Sequence, residues 1–277
     1  MAQQKEEKRL NLKNDVLFKT FFSRKGNEKF LLDFLSGILK IEINKIKVMG
    51  EVSLQQLAQS EKGGRIDIQA ELNDGIVIDI EMQIKDEKNI EERTTYYAAK
   101  LLSKETKKGT EYKDIKQVIM INILNYEMLG FDEYTSETVI VLDKHREYEV
   151  IKGVKWYFIE LPKFRKLKLD MNEKLNQWLA FIDDYDRRLI EMAKEKNETL
   201  KEAEIEMNYL TGDEEVKRMV ELREKWEMDY NSGIGNARKE GERKKQLEVA
   251  KKMKEENLPI KLIVKITGLN KEEIEKL

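Results

Sequence analysis

The sequence predicts an α/β fold in which helices flank a mixed sheet, followed by a helical C-terminal extension. Three patterns in the 277 residues support this. Apolar residues first recur at helical spacing and then alternate as in half-buried strands. A helical segment and a run that is apolar throughout follow, and two more strand patterns come after them. Beyond about residue 165 the pattern is helical and strongly charged. We therefore expect an α/β domain at 1–165, a helical extension at 166–232, and a basic helix with a small helical tail at 233–277.

Composition excludes several kinds of chemistry. The chain has no cysteine and one histidine, His145. Disulfides, thiolate metal sites and cysteine nucleophiles are therefore excluded. Because His145 lies between Lys144 and Arg146, it is poorly placed for a general base, and we expect it at the surface. The net charge of −2 gives no field that would attract the whole chain to nucleic acid or membrane, so any basic patch must be local.

The N-terminal segment and the hydropathy bear on location. The stretch MAQQKEEKRLNLKND contains no apolar core of a signal peptide. No apolar run approaches the length of a membrane span. We expect a cytoplasmic protein without a membrane partner.

The α/β part should contain two helical segments before the sheet and one helix within it. The expected elements are helical segments over 14–39, begun at Asn14 or Asp15 and again at Asn27, strands at 45–54, 65–72, 76–85 and 117–124, a helix at about 90–107, and the strands ETVIVLD and VKWYFIEL, the second ended by Pro162. The stretch QVIMINIL at 117–124 is apolar on both faces, which predicts a central strand covered on both sides.

The C-terminal part is expected to be helical. Helical periodicity extends from Asn172 to about Asp229, and three glycines in NSGIGNARKEG then predict a break. A basic helix should follow at 238–256, and the tail reads as two short helices around Gly268. The tail resembles a helix-turn-helix, but its acidic last helix favours a small helical cap packed on the extension or on a second subunit.

Two neighbouring strands carry acidic residues on their polar faces. Asp67, Asp79 and Glu81 alternate with apolar residues in GRIDIQAELNDGIVIDIEMQIKD. A three-residue loop, Asn73-Asp74-Gly75 with a left-handed Gly75, keeps both apolar faces on one side of the sheet. The resulting register places Leu72 opposite Ile76, Ile68 opposite Ile80, and Asp67 opposite Glu81.

Facing carboxylates repel unless a cation lies between them, since facing Cβ atoms are about 4.5–5.5 Å apart. With oxygen ligands and no nearby cysteine or histidine, the expected cation is Mg²⁺ or Mn²⁺. The alternative is a solvated polar face, which is common in a chain with 38% charged residues. The pattern alone leaves both interpretations open.

Several stretches together resemble a known family. They are NDVLFKTFF, GGRIDIQAELNDGIVIDIEMQ, ERTTYYAAKLLSKETKKGTEY, FIELPKF and ITGLNKEEIEKL. The order of helix, strands, hairpin and helix, with Glu-x-Gln on the second hairpin strand, resembles the PD-(D/E)XK nuclease superfamily. More narrowly, it resembles the Rpn family of recombination-promoting nucleases and transposase-like proteins. The resemblance implies a PD-(D/E)XK-type fold and metal-dependent DNA endonuclease activity.

The resemblance also implies roles for individual residues. Asp67 matches the motif aspartate, Glu81 the second acidic position, and Asp15 the acidic position of the N-terminal helix, so these three are the expected metal ligands. Gln83 occupies the position where the wider superfamily has lysine. Apart from the resemblance, strand alternation predicts Lys85 on the same face, where it would stabilise charge on the phosphate or replace that lysine. The alternatives are a helix cap for Asp15 and a surface charge for Lys85.

Four residues are candidates for contact with DNA: Lys62, Arg65, Arg93 and Tyr97. Arg93 and Tyr97 lie four residues apart on one helix and share a face. Arg93 could instead pair with glutamate, and Tyr97 could pack in the core. Lys62 and Arg65 could simply be solvated.

Three functions follow from these observations. The first is a metal-dependent DNA endonuclease linked to recombination or mobile elements. Its catalytic residues would be Asp67, Glu81, Gln83 and Lys85. The second is a catalytically inactive nuclease scaffold that binds DNA through its basic helix. The third is an interaction protein that forms a homodimer through its helical extension.

Overall fold

The computed structural model describes residues 10–49, 68–106 and 111–277. The strands are β1 (Ile46–Met49), β2 (Ile68–Leu72), β3 (Ile76–Gln83), β4 (Gln117–Leu124), β5 (Thr135–Glu137), β6 (Ile140–Leu142), β7 (His145–Ile151) and β8 (Val154–Glu160). The helices are α1 (Asp15–Ser23), α2 (Glu28–Leu39), α3 (Ile90–Glu105), α4 (Leu161–Phe164), α5 (Lys174–Asp183), α6 (Arg187–Lys196), α7 (Glu198–Gly212), α8 (Glu214–Glu255), α9 (Ile260–Thr267) and α10 (Lys271–Glu275).

A six-stranded mixed sheet confirms the predicted fold class. Its strand order is β1-β2-β3-β4-β8-β5. The central strands β3, β4 and β8 are parallel, whereas β1, β2 and β5 join antiparallel. Because parallel neighbours require a crossover, α3 connects β3 to β4. Nearly every residue of β4 is buried, as its run of apolar residues predicted.

Aromatic side chains form the core on the side of the sheet that α1 covers. The ring of Phe22 lies 4.9 Å from that of Phe18, 5.7 Å from that of Phe34 and 5.8 Å from that of Trp178, measured between centroids. These rings join α1, α2 and α5, and α1 contacts β2 and β3. The helix α5 therefore completes the hydrophobic core of the α/β part.

At Gly37, α2 passes close to the backbone of α5. A Cβ atom at this position would lie 2.9 Å from the backbone nitrogen of Leu175. Since backbone cannot move aside cheaply, Gly37→Ala should reduce the free energy of unfolding by about 1–3 kcal/mol in urea denaturation. Gly212→Ala is the matched control, because its Cβ would meet nothing within 4 Å in α7. An equal response of the two variants would contradict this packing.

The hairpin of β2 and β3 has the predicted register but a different turn. Leu72 is opposite Ile76 and Ile68 is opposite Ile80. The left-handed residues are Asn73 (φ 48°) and Asp74 (φ 56°), and Gly75 is not left-handed, so that part of the prediction was wrong. Asparagine and aspartate tolerate this conformation. The Asn73 side chain also accepts hydrogen bonds from the backbone N–H groups of residues 44 and 45.

Other strands differ from the prediction in their bounds. β3 ends at Gln83, two residues before the predicted end. The predicted strand at 137–143 is divided between β5 and β6, and β7 pairs with β6 in a separate two-stranded sheet. His145 begins β7 and is exposed, as expected.

The chain divides into two compact units, Met1–Glu221 and Leu222–Leu277. The predicted break at the glycines of NSGIGNARKEG was wrong, because α8 continues from Glu214 to Glu255. Each glycine costs a helix only about 1 kcal/mol, which the surrounding helix formers offset.

The tail consists of two short helices, as its pattern predicted. α9 and α10 are joined by a turn in which Gly268 is left-handed (φ 71°). Ile263 of α9 and Ile274 of α10 are buried in one hydrophobic cluster with Ala250 of α8. The tail therefore packs on the helix that precedes it in the chain.

Candidate active site

Two buried carboxylates lie on one face of β3. Asp79 is 1% exposed and Glu81 is 2% exposed. They share a face because they are two residues apart in a strand. Asp79 accepts a hydrogen bond of 3.1 Å from the Nε2 atom of Gln69 on β2. Because both side chains are buried, the part of this face that carries Asp79 and Glu81 is not a solvated surface.

The helix α3 covers the same face of the sheet. Ala98 and Leu101 pack against Val77 and Met120. One turn earlier in α3, Thr94 is buried and its Oγ1 accepts a hydrogen bond from Asn122. The carboxylates of β3 are thus continuous with a hydrophobic layer that fixes α3 on the sheet.

Asn122 on β4 is the neighbour of Glu81. The two residues are paired in the parallel register, so their side chains leave the sheet on one face. Asn122 is fully buried, and its Nδ2 atom donates to Thr94 Oγ1 (3.3 Å) and to the backbone oxygen of Tyr157 (3.4 Å). Its Oδ1 atom has no hydrogen-bond partner in the part of the chain that the structure describes.

The carboxyl ends of β3, β4 and β8 bring several polar groups to one edge. The backbone oxygen of Gln83 accepts from the N–H of Asn125, which follows β4 (2.8 Å). Glu160 ends β8, and its carboxylate accepts hydrogen bonds from the backbone N–H groups of Met128 and Leu129, the second at 3.1 Å. The ammonium group of Lys163 bonds Glu160 at 2.6 Å. This buried ion pair fixes the segment after β4.

Tyr126 lies in the same region and is not suited to act as a base. Burial is the main cause that raises the pKa of its hydroxyl to about 12, with a further contribution from the negative charge of Asp86. The hydroxyl therefore remains protonated at neutral pH.

Another buried carboxylate, Asp183, connects this edge to the start of α1. Asp183 is fully buried and accepts two hydrogen bonds of 2.6 Å from Arg165 and one of 3.0 Å from Lys13. Arg165 also donates to the Oδ1 atom of Asn125 at 2.6 Å. Asp183 therefore links Lys13, two positions before Asp15, through Arg165 to Asn125, whose N–H is bonded to Gln83.

Asp15 is not the helix cap. The cap of α1 is Asn14, whose side chain accepts from Leu17 N at 3.1 Å. Asp15 occupies the first helical position, where its Oδ1 accepts from Val16 N at 2.9 Å. The capping alternative considered for Asp15 thus belongs to its neighbour.

A comparison with protein-family models identifies the family of the chain. A family model described as PD-(D/E)XK nuclease family transposase matches residues 12–237. The chain belongs to this family. Searches of curated proteins and of solved structures gave no match. Membership supports a nuclease-like or transposase-related role, and the expected family was confirmed.

Three predicted residues of the PD-(D/E)XK motif and its surroundings, Lys62, Arg65 and Asp67, lie outside the described residues. Among the residues that the structure describes, no group of three or more His, Cys, Asp or Glu side chains is arranged to hold a metal ion. Nor does the described part contain a helix long and apolar enough to cross a membrane. The metal site therefore remains a prediction that includes Asp67.

The remaining predicted site residues lie on β3, directly after it, and on α3. Gln83 is the last residue of β3, and Lys85 is exposed two residues beyond, so strand alternation does not assign Lys85 to the carboxylate face. Arg93 bonds Glu87 at 2.9 Å, and Tyr97 is partly buried against the layer under α3. These contacts agree with the structural alternatives for Arg93 and Tyr97, while their contact with DNA stays a prediction.

Asn122, Thr94 and the Asp183 network were not predicted from the sequence. The signal for Asn122 was a single polar residue in an otherwise apolar strand. No local signal marks Asp183, because its partners Lys13 and Arg165 are 170 and 18 residues away in the chain.

Proposed function

We propose that the protein is a divalent-metal-dependent endonuclease that hydrolyses phosphodiester bonds in DNA during recombination or the movement of mobile elements. The observation that carries the proposal is the buried carboxylate of Glu81 on the central sheet of a PD-(D/E)XK family member. A buried carboxylate at the motif position is the feature that a solvated polar face would lack.

The oxygen donors present fit a hard divalent cation. Glu81 and Asp67 would hold Mg²⁺ or Mn²⁺, with Asp15 as a third acidic ligand. When bound, the ion supplies an activated water and polarises the scissile phosphate. These ligands require no cysteine or histidine, in keeping with the composition.

The remaining residues would orient the reactants. The Gln83 amide can position the attacking water through a hydrogen bond but cannot accept its proton, because an amide is not a base. Lys85 would stabilise negative charge that develops on the phosphate. The residues that would contact the DNA backbone are Lys62, Arg65, Arg93 and Tyr97.

A catalytically inactive scaffold is the second candidate function. Two features favour it. Gln83 occupies the position where the superfamily has lysine, and the basic helix within α8 has exposed lysines. Several basic residues there already form ion pairs within the helix, including Arg238 with Glu242 (3.0 Å) and Lys244 with Glu240 (2.8 Å). A homodimer formed through the helical extension belongs to this alternative.

Nicking of supercoiled plasmid tests the proposal and separates the alternatives. We expect the wild type to nick DNA with Mg²⁺ or Mn²⁺ and not with EDTA, and Asp67→Ala to lose nicking while it still binds DNA. DNA affinity that falls steeply with salt and needs no metal, without cleavage by the wild type, would instead support the scaffold. A stable oligomer without affinity for DNA would support the interaction protein.

A further inference from the structure

We infer that Asn122 is a positioning residue of the metal centre: its Oδ1 atom accepts a hydrogen bond from a water bound to the cation that Glu81 holds. This inference rests on the proposed function and adds a residue from a different strand to it. Asn122 would act through the bound water and would not itself take part in bond cleavage.

The position of Asn122 is the first argument. It is the parallel partner of Glu81, so the two side chains start from strands about 4.8 Å apart and lie on the same face. Both residues are buried, at 0% and 2% exposure. A group bound to Glu81 on this face is therefore within reach of the Asn122 side chain.

The orientation of the amide is the second argument. A backbone oxygen can only accept a hydrogen bond, so the contact with Tyr157 O on β8 identifies the group on that side as the NH₂ of Asn122. Thr94 on α3 accepts from the same nitrogen. Two elements thus fix the amide nitrogen, and the amide oxygen is left on the other side.

The state of the amide oxygen is the third argument. Within the described ranges the Oδ1 atom of Asn122 is buried and accepts no hydrogen bond. Leaving a buried acceptor unsatisfied is costly, so such an atom calls for a donor that the polypeptide does not supply. The carboxylates of this face attract a hydrated cation, and a water bound to that cation is a strong donor.

The test measures Mn²⁺ affinity by calorimetry, together with thermal unfolding of the metal-free protein. We expect Asn122→Leu to bind Mn²⁺ about 10–100-fold more weakly than wild type, because outer partners of metal centres contribute factors of this size. Its metal-free form should remain folded, because removal of the unsatisfied oxygen partly offsets the loss of the two long hydrogen bonds of Nδ2 (3.3 and 3.4 Å). Met120→Leu, on the same face two residues earlier, is the control and should keep wild-type affinity.

A second variant protects the test against a folding defect in the first. Asn122→Asp retains an acceptor oxygen but loses the NH₂ donor, so it should bind Mn²⁺ at least as tightly as wild type. A purely structural amide predicts instead that neither variant changes in Mn²⁺ affinity, and that result would overturn the inference. Weak binding by Asn122→Asp, equal to that of Asn122→Leu, would also overturn the inference.

The outcomes distinguish this inference from the proposed function. A wild type that binds Mn²⁺ only as tightly as Asn122→Leu overturns the role of Asn122 and leaves the nuclease proposal standing. A wild type that binds no Mn²⁺ overturns both.

Discussion

Replacing Glu81 with glutamine is expected to reduce metal-dependent DNA cleavage by about 10²–10³-fold. A metal ligand supports several kcal/mol of transition-state stabilisation, and about 1.4 kcal/mol corresponds to a factor of ten in rate. The substitution keeps the size of the side chain but removes the charge that would hold the cation. DNA binding should persist, because the predicted DNA contacts are other residues.

The cleavage rate of a defined duplex under single-turnover conditions measures this effect, with fluorescence anisotropy for DNA affinity. Glu91→Gln, which removes an exposed carboxylate from α3, is the control and should cleave like wild type. Loss of cleavage in both variants, or in neither, would show that the buried position of Glu81 has no special role.

Replacing Asp183 with leucine is expected to lower the free energy of unfolding by about 3 kcal/mol. The substitution leaves Arg165 and Lys13 without the carboxylate that both now contact at 2.6–3.0 Å. Breaking a buried pair costs about 3–5 kcal/mol, and we take the lower limit because the two cations keep some contact with water. Cleavage should fall as well, since Arg165 also holds Asn125, whose N–H is bonded to the end of β3.

Urea denaturation of the variant and of Glu195→Gln, an exposed carboxylate on α6, measures this loss. The control should change stability by less than about 0.5 kcal/mol. The double variant Arg165→Leu with Asp183→Leu should recover part of the loss, because it removes the unpaired charge together with its partner. Losses that simply add would contradict a coupled pair.

The sheet was predictable because its signals are local. Alternation of apolar residues placed β2 and β3, and the length of their loop fixed Leu72 opposite Ile76. The turn conformation was not predictable from glycine preference alone, because Asn73 is held left-handed by contacts with the segment before β1. The end of β3 at Gln83 similarly depends on its neighbours in the sheet.

The candidate site was predictable only in its acidic residues. Glu81 could be found because a carboxylate repeats on one face of a strand. Asn122 was marked only as a single polar residue in an apolar strand, and Asp183 had no local signal, because the partners of both residues are distant in sequence. The glycines within α8 show the opposite error, in which a local signal for a break was weaker than the helix around it.

Binding of Mn²⁺ to the wild type and to Glu81→Gln, followed by the electron paramagnetic resonance signal of the free ion, tests the central claim most directly. The claim is that the carboxylate face of β3 holds a divalent cation. It predicts that the wild type removes Mn²⁺ from solution and that Glu81→Gln does so at least about tenfold less tightly. Equal binding by the two proteins, or no binding by the wild type, would contradict it.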